Sequence, residues 1–428
     1  MMVQRVAVIG GGAAGLCALR HLTARPDQFQ AVAFEQNSRV GGTWIYTTKI
    51  GKDENGLPVF SSMYKNLRTN LPKEVMAFPD FPFKKGPPSF ISHEEVLQYL
   101  EDYAIHYKLY QYIKFETIVQ TVRPLKGDNF TSWEVTYCPV KERNQSCREL
   151  FDAVIVCNGH YSVPLYPDIV GLKDFAGQVI HSHDYREPES YADLRVVCLG
   201  AAASGQDICM DIALKAKQVY LSHDKPFLTI DLPSNVEQRP GIKCLRRNSV
   251  IFNNSEEVEI DALILCTGYR YSFPFLTEEC NLRIEEERIT PLYKHLIHTQ
   301  FHTLSFIGIC KTICPFPQFH SQVRFVLSVL NGSLMLPSRE VMDRDTERDY
   351  QTRLEEGLPP RHAHTLGPRQ WNYNDDLSSM AKFEPIPRVV QELFDYVHHH
   401  RKNHLSTYKD MNYELIDDTT FKPIQSCK

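Results

Sequence analysis

The feature that most constrains this chain is a glycine-rich segment close to its start. Arg5 to Ile9 is a short β-branched run, and Gly10-x-Gly12-x-x-Gly15 follows it directly. Such a run suits a buried parallel strand. The three glycines permit, in order, a tight strand-to-helix turn, close approach of the backbone to a pyrophosphate, and close packing of helix on strand. The sequence therefore predicts a strand–turn–helix unit whose helix N-terminus binds a dinucleotide phosphate.

A second apolar run and an acidic residue extend this unit. Ala31 to Phe34 is predicted to be a strand that ends in Glu35, twenty residues after Gly15, where a carboxylate accepts hydrogen bonds from a ribose. Gly41 and Gly42 come next. At this point the chain resembles FAD-binding proteins of the glutathione-reductase type, in which a glycine pair lets the backbone pass close to the flavin. The resemblance implies that the first dinucleotide is FAD.

The same plan recurs in the middle of the chain, with one departure. The apolar run Val196 to Leu199 meets Gly200-x-Ala202-x-x-Gly205, a helix-like segment follows, and Gln218 to Leu221 is predicted to be the next strand. Ala202 stands where the middle glycine is usual, and its methyl group holds the backbone slightly further from a phosphate. The strand–turn–helix–strand order predicts a second dinucleotide site.

The residues after this second strand indicate which nicotinamide dinucleotide is bound. No acid stands at the immediate end of the strand, where Ser222, His223 and Lys225 are found with Asp224 among them. Hydroxyl, imidazole and ammonium groups suit a 2′-phosphate, which NADPH carries and NADH lacks. The sequence therefore favours NADPH over NADH.

Two segments with the same sequence pattern predict the domain organisation. Residues 152–159 read DAVIVCNG and residues 261–269 read DALILCTGY, each an acid, an apolar strand and a glycine turn. Such repeats bring the chain back between domains in two-dinucleotide flavoproteins. The predicted fold class is α/β, with two Rossmann-like dinucleotide-binding domains of the glutathione-reductase type and the NADPH domain inserted into the FAD domain. The predicted limits are 1–167 for the first part of the FAD-binding domain, 168–294 for the NADPH-binding domain, and 295–428 for the return with C-terminal helices.

Composition argues against several other classes of protein. A net charge of −5 gives no electrostatic reason to bind nucleic acid or acidic lipid. No stretch reaches the roughly 18 to 20 apolar residues of a membrane span, no secretory leader precedes the first strand, and the tail from Asp417 to Lys428 is polar. The twelve cysteines are scattered, and the spacing of Cys310 and Cys314 fits neither a redox pair nor half of a zinc site. We expect a cytoplasmic protein with no metal centre, no membrane anchor and no nucleic-acid partner.

One further motif indicates a family. Residues 175–185, FAGQVIHSHDY, match F-x-G-x-x-x-H-x-x-x-Y, which is typical of the flavin-containing monooxygenases, a family of class B flavoprotein monooxygenases. Nearly the whole chain resembles that family, including GGTW at 41–44, LCTGY at 265–269 and FIG at 306–308. Without a long hydrophobic C-terminal tail, it looks most like the short, soluble insect members that include pyrrolizidine alkaloid (senecionine) N-oxygenases. Cys266 departs from the alanine that the family usually carries.

The resemblance implies an FAD- and NADPH-dependent monooxygenase with molecular oxygen as co-substrate. Such an enzyme oxygenates an amine nitrogen or a sulfide sulfur of a small molecule through a C4a-hydroperoxyflavin, and tertiary-amine alkaloids or other xenobiotics are the expected substrates. Asn70 matches the family's active-site asparagine, whose amide would hydrogen-bond nicotinamide or flavin. Its alternative role is to prepare the turn before Pro72.

The resemblance also assigns cofactor-binding residues. The FAD set is Gly10, Gly12, Ala13, Ala14, Gly15, Glu35, Gln36, Gly42, Thr43, Trp44, Thr69, Asn70, Leu71, Val119, Thr267 and Gln322. The NADP set is Gly200, Ala202, Ala203, Ser204, Gly205, Ser222, His223 and Lys225. His181, within the family motif, is explained at least as well by a structural hydrogen bond as by chemistry, and no proton transfer is assigned to it.

Three other functions stay open. A Baeyer–Villiger-type monooxygenase would act on ketones, but that group carries Trp where this chain has Tyr185. An NADPH oxidase would release peroxide without oxygenating a substrate, and a non-catalytic FAD-binding scaffold would not oxidise NADPH. A disulfide reductase is disfavoured because no redox cysteine pair follows Gly42. Aromatic segments would also allow a homo-oligomer.

Overall fold

A computed structural model describes residues 3–126, 131–228 and 231–424, and the last four residues of the polar tail lie outside these ranges. The α-helices within them are α1 (Ala13–Thr23), α2 (Lys73–Met76), α3 (His93–His106), α4 (Ala203–Ala213), α5 (Pro315–Leu330), α6 (Arg339–Glu355), α7 (Gln370–Ala381) and α8 (Arg388–Asn403). None of these helices combines the length and apolar character needed to cross a membrane.

The strands are short and fall into several sheets. In chain order, the described residues form β1 (Gln4–Ile9), β2 (Phe29–Phe34), β3 (Ile113–Lys114), β4 (Thr117–Lys126), β5 (Thr131–Pro139), β6 (Cys147–Phe151), β7 (Ala153–Val156), β8 (Val163–Pro164), β9 (Gln178–His181), β10 (Arg195–Leu199), β11 (Gln218–Ser222), β12 (Val236–Arg239), β13 (Ile242–Leu245), β14 (Ser249–Phe252), β15 (Glu257–Glu259), β16 (Ala262–Leu265), β17 (Tyr269–Arg270), β18 (Arg283–Glu285), β19 (Arg288–Thr290), β20 (Leu292–Tyr293), β21 (Ile297–His298), β22 (Leu304–Phe306), β23 (Asn412–Leu415) and β24 (Phe421–Ile424).

The larger sheet has seven strands in the order β20–β21–β22–β7–β1–β2–β3, and its central strands are parallel. Side chains alternate between its two faces. Val6 and Val8 pack with α1 and α5 in one core, whereas Ala7 and Ile9 pack in another core with Trp133 of β5. Because both faces are covered, the last four residues of β1 and all of β7 are continuous apolar runs in the sequence.

The smaller sheet has five parallel strands in the order β12–β11–β10–β16–β9. One face packs against α4, where Val196 and Cys198 share a core with Ile208. The other face packs against β13–β15, where Val197 shares a core with Phe252. This sheet is therefore also covered on both sides, as a parallel sheet requires.

The two sheets repeat one local plan. The Asp152 carboxylate accepts the backbone N–H of Arg5 at 2.7 Å, and the Asp261 carboxylate accepts the backbone N–H of Arg195 at 2.8 Å. Each acid thereby ties the strand after it, β7 or β16, in register with β1 or β10. The predicted mixed α/β fold class is confirmed, and the two acid–strand–glycine runs occupy matching places in the two sheets.

The two chain segments that connect the sheets pair with each other. β8 and β17 are antiparallel with Pro164 opposite Tyr269, and the N–H of Leu165 donates to the carbonyl of Gly268 at 2.9 Å. The strands of the smaller sheet lie between residues 178 and 265. From Tyr271 onwards the chain packs in a core of the larger sheet. We therefore propose that the return to the first domain begins earlier than residue 295.

Candidate cofactor and active site

The first glycine-rich turn leaves no room for larger side chains. Gly10 has φ of +110°, and a Cβ atom there would lie 2.5 Å from the carbonyl oxygen of Cys157. A Cβ atom on Gly15 would lie 1.9 Å from the carbonyl oxygen of Gly10. Gly12 is the N-cap of α1 and offers no side chain to cap it. The first N–H groups of α1 are therefore available to an anion.

The predicted glycine pair crosses this turn. The N–H of Gly41 donates to the carbonyl of Gly11 at 3.2 Å. Gly42 has φ of +55°, and a Cβ atom there would lie 2.9 Å from the Cα atom of Gly12. The structure thus brings together two segments that are separated by about thirty residues, and the close approach explains why both need glycine.

Glu35 is held at the edge of the same turn. One carboxylate oxygen accepts the N–H of Gly11 at 2.6 Å, and the other accepts the N–H of Asn37 at 2.8 Å. Burial of the side chain raises the pKa of Glu35, while these hydrogen bonds oppose that rise. The carboxylate is fixed in place and keeps lone pairs with which to accept hydrogen bonds from a ribose.

Two threonines of the predicted FAD set carry buried hydroxyl groups that have no hydrogen-bond partner among the described residues: Thr43 and Thr69. Thr69 is fixed by its backbone, whose N–H donates to Ile91 at 2.8 Å. The next side chain, Asn70, is exposed, and its amide makes no hydrogen bond to a described residue. Buried polar atoms are rarely left without a partner, so the positions of Thr43 and Thr69 fit a bound cofactor.

The other residues of the FAD set are less uniform in their placement. Ala13 and Ala14 are buried at the start of α1, Gln36 is half-buried after Glu35, and Trp44 and Leu71 pack against the core that contains α1. Val119 lies on β4, in an antiparallel sheet of three strands.

Gln322 and Thr267 have their polar atoms engaged within the protein. The Gln322 amide oxygen accepts the N–H of Gly308 at 3.0 Å, and its amide nitrogen donates to Tyr373 at 2.9 Å. The Thr267 hydroxyl donates to Leu165 at 2.5 Å. Thr267 follows β16, and its bond to Leu165 places it on the segments that connect the two sheets. Its assignment to the FAD site stays a prediction.

Gln318 was missed from the sequence. It lies on α5 one turn before Gln322, it is fully buried, and neither of its amide atoms has a hydrogen-bond partner among the described residues. The four-residue spacing on a helix, which places both glutamines on one face, is the signal that could have found it.

The second glycine-rich turn repeats the first with one informative difference. Gly200 has φ of +110°, with its Cβ position 2.4 Å from the carbonyl oxygen of Cys266, and the Cβ position of Gly205 lies 1.7 Å from the carbonyl oxygen of Gly200. Ala202, the N-cap of α4, has φ of −79°, which is almost the −77° of Gly12. An alanine adopts this conformation without strain. Ala202 is exposed, as are the neighbouring Ala203 and Ser204.

The residues expected to bind the 2′-phosphate are not equivalent. Ser222 is buried, and its hydroxyl donates to Pro240 at 2.7 Å. His223 is buried with its Nε2 atom 3.2 Å from Gln238, and its Nδ1 atom has no partner among the described residues. Lys225 is exposed. Of the three side chains, Lys225 and the Nδ1 edge of His223 are the groups open to a phosphate.

Arg239 is a further cation at this edge, and it was missed from the sequence. It ends β12, directly opposite Ser222 of β11, and its Nε atom is buried without a partner among the described residues. Its guanidinium is also paired with Glu237 at 2.5 Å and with Glu256 at 3.4 Å. The signal was a basic residue at the carboxyl end of the next parallel strand, where ligands of such sheets bind.

The family motif acts as structural support beneath the second turn. A Cβ atom on Gly177 would lie 2.4 Å from the carbonyl oxygen of Asp261, so close packing rather than a tight turn explains this glycine. The His181 ring accepts the N–H of His183 at 3.0 Å, and burial lowers the pKa of His181 to about 4. The Tyr185 hydroxyl donates to the Asp211 carboxylate of α4 at 2.6 Å.

Comparison with known proteins gives a consistent result. The model of a family described as flavin-binding monooxygenase-like matches residues 3–231 and 225–390. Flavin-containing monooxygenase FMO GS-OX-like 4 of Arabidopsis thaliana is 37% identical over 426 residues, which cover 95% of this chain and 94% of that protein.

Solved structures agree over nearly the full length. S-allyl-L-cysteine S-oxygenase from Allium sativum superposes with a TM-score of 0.88 at 35% identity, covering 96% of this chain and 95% of its own. Tmm from Pelagibacter sp. strain HTCC7211 superposes with a TM-score of 0.84 at 28% identity, covering 95% and 92%. Cyclohexanone monooxygenase, at 15% identity and a TM-score of 0.62, shares the fold.

Proposed function

Because the chain belongs to the flavin-binding monooxygenase-like family, we propose that it transfers one oxygen atom of O2 to a nucleophilic nitrogen or sulfur atom of a small molecule. Its cofactors are FAD and NADPH, with O2 as co-substrate. The bound flavin supplies the redox chemistry by taking a hydride from NADPH and activating O2. The protein binds and orients the two dinucleotides and excludes water around them.

The first glycine-rich turn is proposed to hold FAD. The N-terminus of α1 would bind the pyrophosphate, the Glu35 carboxylate would accept the ribose hydroxyls, and Gly42 would let the backbone pass close to the cofactor. The second turn is proposed to hold NADPH at the N-terminus of α4, with Arg239 and Lys225 toward its 2′-phosphate.

The observation that carries the proposal is a pair of buried hydroxyl groups in the predicted FAD set that the protein itself leaves unused. The hydroxyls of Thr43 and Thr69 have no partner among the described residues, and the exposed Asn70 directly follows Thr69. The Asn70 amide is proposed to donate a hydrogen bond to the reacting cofactor. Because the substrate is itself the nucleophile, such a donor suffices and no protein nucleophile is needed.

The substrate class is proposed from two directions. The Allium relative is an S-oxygenase by name, which supports a sulfide substrate. Tertiary-amine alkaloids or other xenobiotics are proposed as well, because an amine nitrogen is a soft nucleophile like a sulfide sulfur. A cytoplasmic location is proposed because the eleven cysteines of the described residues are all free thiols.

The test uses the FAD-loaded enzyme with NADPH, O2 and one substrate at a time: a dialkyl sulfide, a tertiary amine or a cyclic ketone. Sulfoxide or N-oxide formed in step with NADPH consumption is the expected result. Ketone oxygenation alone would establish the Baeyer–Villiger alternative, and peroxide release with no product would establish an NADPH oxidase. Failure of NADPH to reduce the flavin would overturn the assignment of the second turn.

A matched pair of variants tests Asn70. Asn70→Asp keeps the shape but removes the amide donor, and product formed per NADPH is expected to fall by roughly a hundredfold, as for other preorganised donors. The control is Asn144→Asp, at an exposed position on the loop between β5 and β6. Equal product yields from the two variants would contradict the proposed role.

A further inference from the structure

A cluster of metal-ligating side chains lies where the chain's first helix meets α5. Cys17 and His21 are one turn apart on α1, and His320 lies on α5. The Cys17 sulfur and one ring nitrogen from each histidine all lie within 4.8 Å of one another. Cys17 and His320 are buried, whereas His21 is half-buried. The proposed oxygenation uses none of these groups.

The two imidazole rings are in direct contact. His21 Nε2 lies 3.2 Å from His320 Nδ1. The rings meet edge to face, with their centroids 4.6 Å apart. An imidazole binds a metal ion through a ring nitrogen, and here one ring nitrogen of each histidine faces the other.

A carboxylate faces the same point. Asp80 Oδ1 lies 3.8 Å from His320 Nδ1, and it is buried without a hydrogen bond to a described residue. The other oxygen, Oδ2, accepts the Nε–H of Arg20 at 2.9 Å. Asp80 is therefore oriented by Arg20 on one side and presents an unused oxygen on the other.

We propose that Cys17, His21 and His320 bind one zinc ion, with Asp80 Oδ1 as the fourth ligand. A sulfur, two imidazole nitrogens and a carboxylate oxygen form a donor set that zinc takes in proteins, with Zn–S near 2.3 Å and Zn–N near 2.0–2.1 Å. Ligand atoms of one such ion lie roughly 3.3–3.8 Å apart. The two histidine nitrogens, 3.2 Å apart, are close to that spacing, and the Cys17 sulfur lies within 4.8 Å of them.

Charge balance is compatible with the ion. The Cys17 thiolate and the Asp80 carboxylate offset the positive charge of zinc, and Arg20 is already paired with Asp80. The ion would join α1, which carries the first glycine-rich turn, to α5, 299 residues further along the chain. No metal centre was expected from the sequence, because the separation of His320 from the other two ligands hides the cluster.

A second histidine pair provides the control. His400 and His404 are also one turn apart, at the end of α8, with ring centroids 4.5 Å apart. Such a pair binds zinc weakly through nitrogen alone. Sulfur ligation therefore distinguishes the proposed site from this one.

The test titrates metal-free, FAD-loaded enzyme with zinc against a chromophoric chelator, and measures X-ray absorption at the zinc edge. One tight site per chain with a sulfur shell near 2.3 Å is expected. Cys17→Ala and His320→Asn are expected to weaken binding by more than about a hundredfold, since even groups outside the ligand set change metal affinity by 10–100-fold. His400→Asn and the buried-cysteine control Cys138→Ala are expected to leave affinity unchanged.

If Cys17→Ala does not retain FAD, His21→Asn replaces it, because that half-buried position tolerates the change and removes the same site. A nitrogen–oxygen shell without sulfur, or loss of the tight site in His400→Asn but not in His320→Asn, would overturn the proposal. Absence of any tight site in the parent protein would overturn it as well.

Discussion

The hydrogen bond between Tyr185 and Asp211 links the family motif to α4, and its removal should have a measurable cost. Tyr185 is 1% exposed, and its hydroxyl donates to Asp211 at 2.6 Å. Tyr185→Phe leaves the ring packed and removes only that donor, while Asn66 continues to donate to the other carboxylate oxygen at 3.0 Å. A hydrogen bond to a charged group contributes about 1.5–3 kcal/mol. We expect a loss of about 2 kcal/mol in the free energy of unfolding.

Urea unfolding at several pH values is the assay, with Tyr191→Phe as the control. Tyr191 is a neighbouring buried ring of the same core whose hydroxyl makes no hydrogen bond to a described residue. Burial already raises the pKa of Asp211, and loss of the Tyr185 hydroxyl raises it further. The folded carboxyl then binds a proton more tightly than the unfolded one, so stability rises as pH falls. The difference between Tyr185→Phe and the parent should therefore shrink at acidic pH.

Two results would refute this reasoning. One is an equal loss of stability in Tyr191→Phe, which would mean that tyrosine hydroxyls in this core matter irrespective of a partner. The other is a loss in Tyr185→Phe that does not change with pH, because the charge of Asp211 would then have no part in it.

Three further predictions address other parts of the molecule. Burial lowers the pKa of His298 to about 4 from 6.5, so the contribution of His298 to stability is largest above pH 6.5 and falls as the pH drops toward 4. In urea titrations, His298→Asn is expected to reduce the change of unfolding free energy with pH by about 1.4 kcal/mol per pH unit in this range. An unchanged pH dependence would contradict the prediction. Gly200→Ala forces a strained φ and is expected to cost about 2–3 kcal/mol and to abolish flavin reduction by NADPH. Ala202→Gly is expected to cause no loss of stability, because glycine is preferred to alanine at a helix N-cap. Similar losses in both variants would show that backbone conformation is not the cause. Arg239→Ala is expected to raise KM for NADPH at least tenfold, as the loss of about 1.5 kcal/mol of binding free energy implies, without changing KM for NADH. Lys225→Ala, at an exposed position, is expected to raise KM for NADPH by less. A parallel change in KM for both dinucleotides would exclude a contact with the 2′-phosphate.

Both glycine-rich turns were predictable because their glycine spacing is a local pattern. The positive φ of Gly10 and Gly200 and the contact of each with a glycine of its own helix lie within about ten residues. The carbonyls of Cys157 and Cys266, which also leave no room for a Cβ atom at these glycines, come from distant parts of the chain. In the sequence, Ala202 departs from the glycine that is usual at this position of the motif. The structure shows an ordinary backbone conformation there, which a glycine at the first site adopts too.

Long-range packing set the limit of prediction from the sequence. The assignment of Thr267 to the FAD set stays a prediction, and the bond of its hydroxyl to Leu165 depends on a pairing of connecting segments that the sequence does not show. Arg239 and Gln318 belong to no recognised sequence motif. The order of strands in the smaller sheet identifies Arg239, and the buried face of α5 identifies Gln318. Gly177 is required by the carbonyl of a residue more than eighty positions away. None of these relations follows from local spacing.

The antiparallel pairing of β8 with β17 has a consequence for how the larger sheet is completed. Its central strand β7 pairs with β22, and this pairing requires the two ends of the long segment between Val156 and Leu304 to come together. Once the smaller sheet has formed and β8 has paired with β17, the two ends of that insertion are joined. The free chain left to close is then roughly a quarter as long, which lowers the entropic cost of closure by about 1 kcal/mol. The inserted domain thus acts as an internal cross-link for the domain that surrounds it.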